Sequence, residues 1–230
     1  MTDPVHPHHH QLCIALDLDD LVAARRLAAD LQPWFGVAKI GLELFSAAGS
    51  DAVATMIDLG YEVFLDLKLH DIPTTVGRSA RILGAFGASY LTLHAHGGVD
   101  MLRAGVEGLR SGAAGAGLAE PVALAVTVLT SDTTAPSHIV PNRVRIALEG
   151  GCTGLVCAGS DVAAVRALAP GLMIVVPGIR PTGTPLDDQA RVVTPRQAID
   201  AGADLLVIGR PVTRHADPAA AAAEMVSGLR

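Results

Sequence analysis

Eight short runs of apolar, largely β-branched residues recur along this chain, and segments of helical character separate them. The runs are continuously apolar, as expected for strands of a parallel sheet that is covered by helices. The segments between them, such as DLVAARRLAADL, carry apolar residues at spacings of three and four, which predicts amphipathic helices. The eight runs are LCIALD, GVAKIG, EVFLDLK, SYLTLH, VALAVTVL, GLVCAG, LMIVVPG and DLLVIG.

Eight β/α units in 230 residues predict an α/β fold, a single-domain (β/α)8 TIM barrel, because that architecture normally takes about 200 to 250 residues. A doubly wound open sheet is the alternative. Against it, DLDDL follows the first run, with no glycine-rich turn of the dinucleotide-binding type. We expect the barrel over residues 12–230. Residues 1–11, which include HPHHH, have no apolar anchor and are expected to form a disordered tail.

The composition argues against several classes of partner. Half of the residues are hydrophobic and the net charge is -6 with no run of Lys or Arg, so no nucleic acid and no anionic membrane is expected as a partner. No apolar stretch reaches the roughly 18 residues that span a bilayer. A small-molecule substrate and a cytoplasmic location are expected. Cys13, Cys152 and Cys157 lie in or beside apolar runs and are expected to be buried free thiols.

Polar residues stand at the ends of the predicted strands, which is where a barrel of this type carries its chemistry. The densest charge lies in FLDLKLHDIPTTV, where Asp66 and Lys68 end the third strand. Side chains two apart on a strand share a face, so both are expected to point into the barrel mouth. A structural buried ion pair is the alternative interpretation. The other polar strand ends are Asp17, Lys39, His94, Thr130 and Gly209-Arg210.

Two further features are open to more than one interpretation. Asp71 lies just beyond the third strand and just before Pro73, so it could serve as a helix cap. The long loop after the seventh strand carries Arg180 and Gln189, and the eighth strand leads into IGRP at a helix start. Loops seven and eight commonly bind phosphate in barrels, although solvated loop polarity would explain each of these residues singly.

With these residues in place, the sequence resembles the orotidine 5'-phosphate decarboxylase family through nearly its whole length. The resemblance implies the decarboxylation of orotidine 5'-phosphate to UMP and CO2, the last step of UMP biosynthesis. The blocks that carry it are ALD (15–17), AKIGLELF (38–45), FLDLKLHDIP (64–73), VTVLTS (126–131), PGIRP (177–181), DDQARVVTP (187–195) and VIGRP (207–211).

By that resemblance, the catalytic residues form an alternating array: Lys39, Asp66, Lys68 and Asp71. Lys68 is implied to be the proton donor. Asp71 is implied to reach into the neighbouring subunit's site, so a homodimer with shared active sites is expected. The implied substrate-binding residues are Asp17 and Lys39 for the ribose, Thr130 for the pyrimidine, Arg180, Gln189, Gly209 and Arg210 for the phosphate and its closing loop, Asp66, Ile72 and Pro177 as further contacts, and Thr75 beside Asp71 in the partner's site.

The implied chemistry needs fixed charge. Loss of CO2 from C6 leaves an electron pair in the plane of the pyrimidine, where the π system cannot delocalise it. An ammonium at Lys68, kept charged by flanking carboxylates, can attract the developing carbanion and then protonate it. No metal ion and no organic cofactor is therefore expected.

Two rival functions remain open. The first is a Mg2+-dependent sugar-phosphate decarboxylase or aldolase, similar to 3-keto-gulonate 6-phosphate decarboxylase, which shares D-x-K-x-x-D but typically has a Glu metal ligand where this chain has Lys39. The second is a barrel that binds nucleotide phosphates without catalysis. The sequence departs from the family pattern at Thr74 and His96, from which we expect a changed helix start and a more polar fourth loop.

Overall fold

The computed structural model describes residues 6, 8–129, 132, 134–180, 193–227 and 229. Eight parallel strands form a closed barrel in chain order, and the eighth strand pairs with the first. This confirms the predicted (β/α)8 barrel and rejects the open sheet. The strands are β1 (Leu12–Leu16), β2 (Val37–Gly41), β3 (Glu62–Leu69), β4 (Tyr90–His94), β5 (Val122–Val126), β6 (Gly154–Val156), β7 (Met173–Val176) and β8 (Leu205–Ile208).

Helices surround the barrel and connect its strands. None of those in the described part of the chain is long and apolar enough to cross a membrane. The α-helices are α1 (Leu21–Leu31), α2 (Leu42–Ala48), α3 (Ser50–Asp58), α4 (Pro73–Ala85), α5 (Gly98–Gly115), α6 (Ile139–Glu149), α7 (Val162–Leu168), α8 (Pro195–Asp200), α9 (Arg210–Thr213) and α10 (Pro218–Ser227).

Alternation along the strands produces two buried apolar layers. On β4, Tyr90 points into the barrel and packs edge-on against Phe64 of β3, with ring centroids 6.1 Å apart. Leu91 and Leu93 point outward and belong to the larger core between barrel and helices. The next inward position after Tyr90 is Thr92, which is fully buried. The barrel interior is thus apolar at its base, and its polar side chains begin above that base.

Helices α4 and α5 pack unusually closely because glycines line their contact. A Cβ added at Gly108 would lie 2.1 Å from the Gly77 carbonyl oxygen, and one at Gly112 would lie 1.9 Å from the Arg81 carbonyl oxygen. These backbone atoms cannot move independently of their helix. The absence of side chains at Gly108 and Gly112 therefore sets the distance between the two helices that follow β3 and β4.

The structure differs from expectation at the end of β5 and in the N-terminal segment. Strand β5 ends at Val126, whereas the sequence predicted an apolar strand through residue 129. The last part of the expected tail is ordered, because His9–Gln11 form a 3-10 helix. His9 is buried there, its Nε2 donates a hydrogen bond to the Gln32 carbonyl oxygen at 3.0 Å, and its carbonyl oxygen accepts one from the Gly36 amide at 2.9 Å. Residues 1–5 and 7 lie outside the described residues.

The three cysteines are free and buried, as the sequence predicted. Burial raises the pKa of Cys152 and that of Cys157 to about 12. Cys13 belongs to the apolar layer inside the barrel. All three therefore behave as small apolar core residues.

Candidate active site

Three strands bring an ion-paired array to the carboxyl-terminal mouth of the barrel. Lys39 of β2 lies with its Nζ 3.0 Å from Asp17 Oδ1 and 3.6 Å from Asp66 Oδ2. Lys68 Nζ lies 2.8 Å from Asp66 Oδ1. The Asp66 carboxylate is therefore shared by two ammonium groups, one on each oxygen. The side chains of Lys39 and Asp66 are largely buried, whereas that of Lys68 is one-third exposed toward the open mouth.

The neighbouring charges override the effect of burial in this array. Burial raises the pKa of Asp66, but the ammonium groups of Lys39 and Lys68 outweigh burial and hold that pKa below its usual range. Burial lowers the pKa of Lys39, but the carboxylates of Asp66 and Asp17 outweigh it and hold that pKa above its usual range. At neutral pH both groups are therefore charged, so the array carries fixed and opposite charges side by side.

Asp66 and Lys68 share one side of β3, as predicted, but β3 is not the regular strand on which that prediction was based. The β3–β4 pairing shifts register between Leu65 and Leu69. Within this bulge Lys68 has a positive φ of 49°, a conformation found at no other non-glycine residue in the described part of the chain. The two side chains meet because the backbone turns between them and not because of simple alternation.

The residues expected to serve the partner subunit lie on the outside of this mouth. Asp71 and Thr75 are exposed, and Ile72 is 65% exposed. Asp71 Oδ1 accepts a hydrogen bond from the Ile72 amide at 2.6 Å, but Ile72 is the N-cap of α4 and makes no side-chain capping bond. The interpretation of Asp71 as the cap of α4 is therefore wrong. Among the residues that the structure describes, Lys68 forms ion pairs with Asp66 only.

A cavity of about 670 Å³ opens above the array and extends toward strands β7 and β8. Eight residues expected at the site line it: Asp17, Lys39, Asp66, Lys68, Pro177, Arg180, Gly209 and Arg210. Arg180 is only 5% exposed, which contradicts the alternative that it is a solvated loop residue. Arg210 is the first residue of α9, with Gly209 at its N-cap. Thr130 and Gln189 lie outside the described residues.

Two residues that the sequence interpretation missed shape this site. A Cβ at Gly41 would lie 2.9 Å from Asp17 Oδ1 and 3.2 Å from Lys39 Nζ, so this ion pair occupies the space of a side chain. Thr92 accepts a hydrogen bond from the Lys68 amide at 2.8 Å and lies 3.1 Å from Asp66 Oδ1. Its inward position on a predicted strand was the available signal, since a buried hydroxyl needs a partner.

The sequence departs from the family pattern at two positions that the structure describes, Thr74 and His96. Thr74 is an exposed residue in the first turn of α4. His96 lies in a 3-10 helix after β4 and forms a cluster with His70 and His94, in which ring centroids are 5.5 to 6.3 Å apart. Burial, then nearby Arg143 and the other two histidines, lowers the pKa of His94 to about 4.

Comparisons with known proteins show which family this chain is similar to. A protein from Anaeromyxobacter dehalogenans named orotidine 5'-phosphate decarboxylase is 48% identical over 95% of this chain and 98% of its own. One of the same name from Pseudomonas putida is 42% identical over 95% of this chain and 97% of its own. The crystal structure of orotidine 5'-phosphate decarboxylase from Lactobacillus acidophilus is similar with a TM-score of 0.80 and 32% identity, covering 99% of both chains. The family model matches residues 10–225, and the chain therefore belongs to the orotidine 5'-phosphate decarboxylase / HUMPS family.

Proposed function

We propose that this protein decarboxylates orotidine 5'-phosphate to UMP and CO2. The observation that carries the proposal is the array in which Asp66 is ion-paired with both Lys39 and Lys68 at the floor of an open cavity. Such an array supplies fixed charge where a carbanion would develop. The named relatives support this substrate.

Lys68 acts as the proton donor in this proposal. Its ammonium group faces the open mouth, where it can attract negative charge at C6 as the bond to CO2 breaks. The proton then moves from Nζ to C6, and solvent returns a proton to the amine. General-acid steps of this kind typically contribute about 10² to 10⁴-fold in rate.

Asp66 holds Lys68 in place and also stresses the bound substrate. A substrate carboxylate about 4 Å from the Asp66 carboxylate would be repelled by on the order of 4 kcal/mol at an effective dielectric of 20. The repulsion disappears as neutral CO2 leaves, so it favours the reaction and not the bound substrate. Lys39 balances the charge of Asp66 from the other side and is placed with Asp17 to bind ribose hydroxyls.

The opposite side of the cavity binds the 5'-phosphate. Arg180 and Arg210 supply guanidinium groups, and the backbone at Gly209 lies at the start of a helix. Binding energy gained at this remote group offsets the cost of crowding two carboxylates at the reacting carbon. Thr130, Gln189 and Pro177 complete the substrate contacts in this proposal.

The active form is a homodimer in the cytoplasm, with Asp71, Ile72 and Thr75 serving the partner's site. This part of the proposal is supported by the exposure of all three residues next to the mouth of their own barrel. An exposed isoleucine beside an exposed carboxylate suits a surface that is covered on dimerisation. The fourth member of the charge array would then come from the second copy of the chain.

A Mg2+-dependent reaction on a sugar phosphate is disfavoured by the position of Lys39. Its ammonium group lies beside both Asp17 and Asp66, two of the carboxylates that line the cavity. A cation already paired with these oxygens opposes the binding of a divalent metal ion.

The test is an assay of the purified chain with three substrates in buffer containing EDTA. We expect CO2 release from orotidine 5'-phosphate, much slower release from orotidine, and none from a β-keto sugar-phosphate acid. Arg210→Ala should lose activity chiefly on the phosphorylated substrate, whereas Arg196→Ala, an exposed arginine paired with Asp200, should not. Activity that requires added Mg2+, or release from the sugar phosphate alone, would contradict the proposal.

A further inference from the structure

The bulge in β3 places three residues opposite a single residue of β4. Leu65 pairs with Leu91 and Leu69 pairs with Leu93, so β3 takes four residue steps where β4 takes two. In the pairing of the two strands, Asp66, Leu67 and Lys68 therefore lie opposite Thr92 alone. Without a specific partner, this arrangement would leave backbone groups of the bulge unpaired and the left-handed Lys68 backbone unsupported.

Thr92 supplies that partner through its hydroxyl group. Its Oγ1 accepts a hydrogen bond from the Lys68 amide at 2.8 Å. The single hydroxyl hydrogen has two acceptors within reach, Asp66 Oδ1 at 3.1 Å and the Leu65 carbonyl oxygen at 3.4 Å, and the carboxylate is both nearer and charged. The Thr92 side chain is fully buried, so solvent water cannot reach these groups and take over the hydrogen bonds of the hydroxyl.

We propose that Thr92 is a positioning residue, whose buried hydroxyl holds the β3 bulge in the conformation that brings the Lys68 ammonium group to the Asp66 carboxylate. It would touch neither the substrate nor the transferred proton. The Oγ1 atom of Thr92 bonds to the backbone amide of Lys68 and to the side chain of Asp66. Both residues are therefore held by the same point on β4. The catalytic consequence rests on the proposed function, whereas the structural role does not.

The test compares Thr92→Val, which has nearly the same shape but no hydroxyl, with Thr92→Ser, which keeps the hydroxyl. Displacement of a reacting group by about 1 Å can cost on the order of 100-fold in rate. We expect Thr92→Val to lower kcat by about 10 to 100-fold with KM within threefold of wild type, and Thr92→Ser to stay within threefold in both. An equal loss of kcat in both variants would overturn the proposal. A folded Thr92→Val variant whose kcat lies within threefold of wild type would also overturn it.

Thr127 offers a matched control. It is a fully buried threonine just after β5. Its hydroxyl donates a hydrogen bond to the Val156 carbonyl oxygen at 2.8 Å, and the same oxygen accepts a second hydrogen bond from the Thr127 amide. Thr127→Val should cost similar stability without a comparable loss in kcat. A loss in kcat equal to that of Thr92→Val would show that any buried hydroxyl near the mouth has this effect, and would overturn the proposal.

A second readout does not depend on activity. The chain has only two lysines, Lys39 and Lys68, so labelling with 15N-lysine gives two backbone amide signals. The Lys68 amide should exchange with solvent about two- to tenfold faster in Thr92→Val than in wild type or Thr92→Ser, as loss of one hydrogen bond of ordinary strength predicts. The Lys39 amide should be unchanged. Unchanged exchange at Lys68 would overturn the structural role.

Two outcomes are kept distinct by this design. If wild-type protein releases no CO2, the proposed function fails, while the exchange rates still decide whether Thr92 holds the bulge. If Thr92→Val does not fold, Thr92→Ala replaces it, because Thr92→Ala and Thr92→Ser both lack the γ-methyl group and differ only in the hydroxyl. The same differences in kcat and in exchange are then expected between these two variants, and their absence overturns the proposal.

Discussion

Lys68 Nζ donates a hydrogen bond to Asp66 Oδ1 at 2.8 Å across a bulge in the strand that carries both residues. A regular strand would place the two side chains on the same face but would not fix this contact. The bulge turns the Lys68 backbone to a positive φ and directs the ammonium group back onto the carboxylate. The charge array is therefore a product of local backbone conformation as much as of residue identity.

The first prediction concerns the charge balance around Lys39. Asp66→Asn removes the carboxylate that most strongly raises the pKa of Lys39, while burial, which lowers it, remains. The pKa of Lys39 should fall, and its charge should be lost at lower pH than in wild type. Side-chain 15N signals report this directly, because Lys39 and Lys68 are the only lysines. Asp58→Asn, at an exposed carboxylate on α3, is the control, and an unchanged Lys39 titration in Asp66→Asn would refute the prediction.

The second prediction concerns the glycines between α4 and α5. Gly108→Ala forces a Cβ into the Gly77 carbonyl oxygen, and overpacking of this kind typically costs about 1 to 3 kcal/mol in the free energy of unfolding. Gly115→Ala in the same helix meets no atom within 4 Å. Urea denaturation should therefore show destabilisation at position 108 and unchanged or higher stability at 115. Equal stabilities of the two variants would contradict the close packing of these helices.

The third prediction is a dependence of stability on pH that arises from His94. Its pKa is lowered to about 4 in the fold, so between that value and the ordinary 6.5 the unfolded chain binds a proton that the folded chain does not. This contribution to stability is present above pH 6.5 and is lost as the pH falls toward 4. Between pH 7.5 and pH 5, the free energy of unfolding should fall less in His94→Asn than in wild type. His215→Asn, at an exposed histidine, should behave as wild type. A loss in His94→Asn as large as that of wild type would contradict the assignment.

The sequence predicted the fold well because the barrel depends on short-range patterns. Continuous apolar runs give strands that are buried on both faces, and alternation on β4 sends Tyr90 inward and Leu91 outward whatever the details of the loops. The positions of Asp17, Lys39, Asp66 and Arg210 at the mouth follow from their places at strand ends.

The details that the sequence did not predict depend on contacts between separate parts of the chain. The β3 bulge needs a hydroxyl on β4, which no pattern within residues 62–69 reveals. Gly41 matters because the Asp17 and Lys39 side chains meet beside it. His9 is buried because it packs against Gly36 and bonds to Gln32. Both partners are distant in sequence, so the composition of residues 1–11 does not reveal these contacts.

The fourth prediction concerns the shared site. If Asp71 acts in the partner's site, homodimers of Lys68→Ala and of Asp71→Ala are each nearly inactive. After subunit exchange, about half of the dimers are heterodimers, and each has one site with both native residues, so about a quarter of wild-type activity should return. Mass spectrometry of differently tagged chains confirms that exchange occurred. Heterodimers without restored activity would show that Asp71 does not act across the interface.

The most direct test of the account is CO2 release from orotidine 5'-phosphate by wild type and by Lys68→Ala, measured in a single turnover in metal-free buffer. Fixed-charge catalysis with Lys68 as the proton donor predicts that wild type forms UMP and CO2 in equal amounts. It also predicts that Lys68→Ala is slower by on the order of 10³-fold or more while still binding UMP. A wild-type protein without activity, or a folded Lys68→Ala variant within tenfold of wild type, would contradict the account.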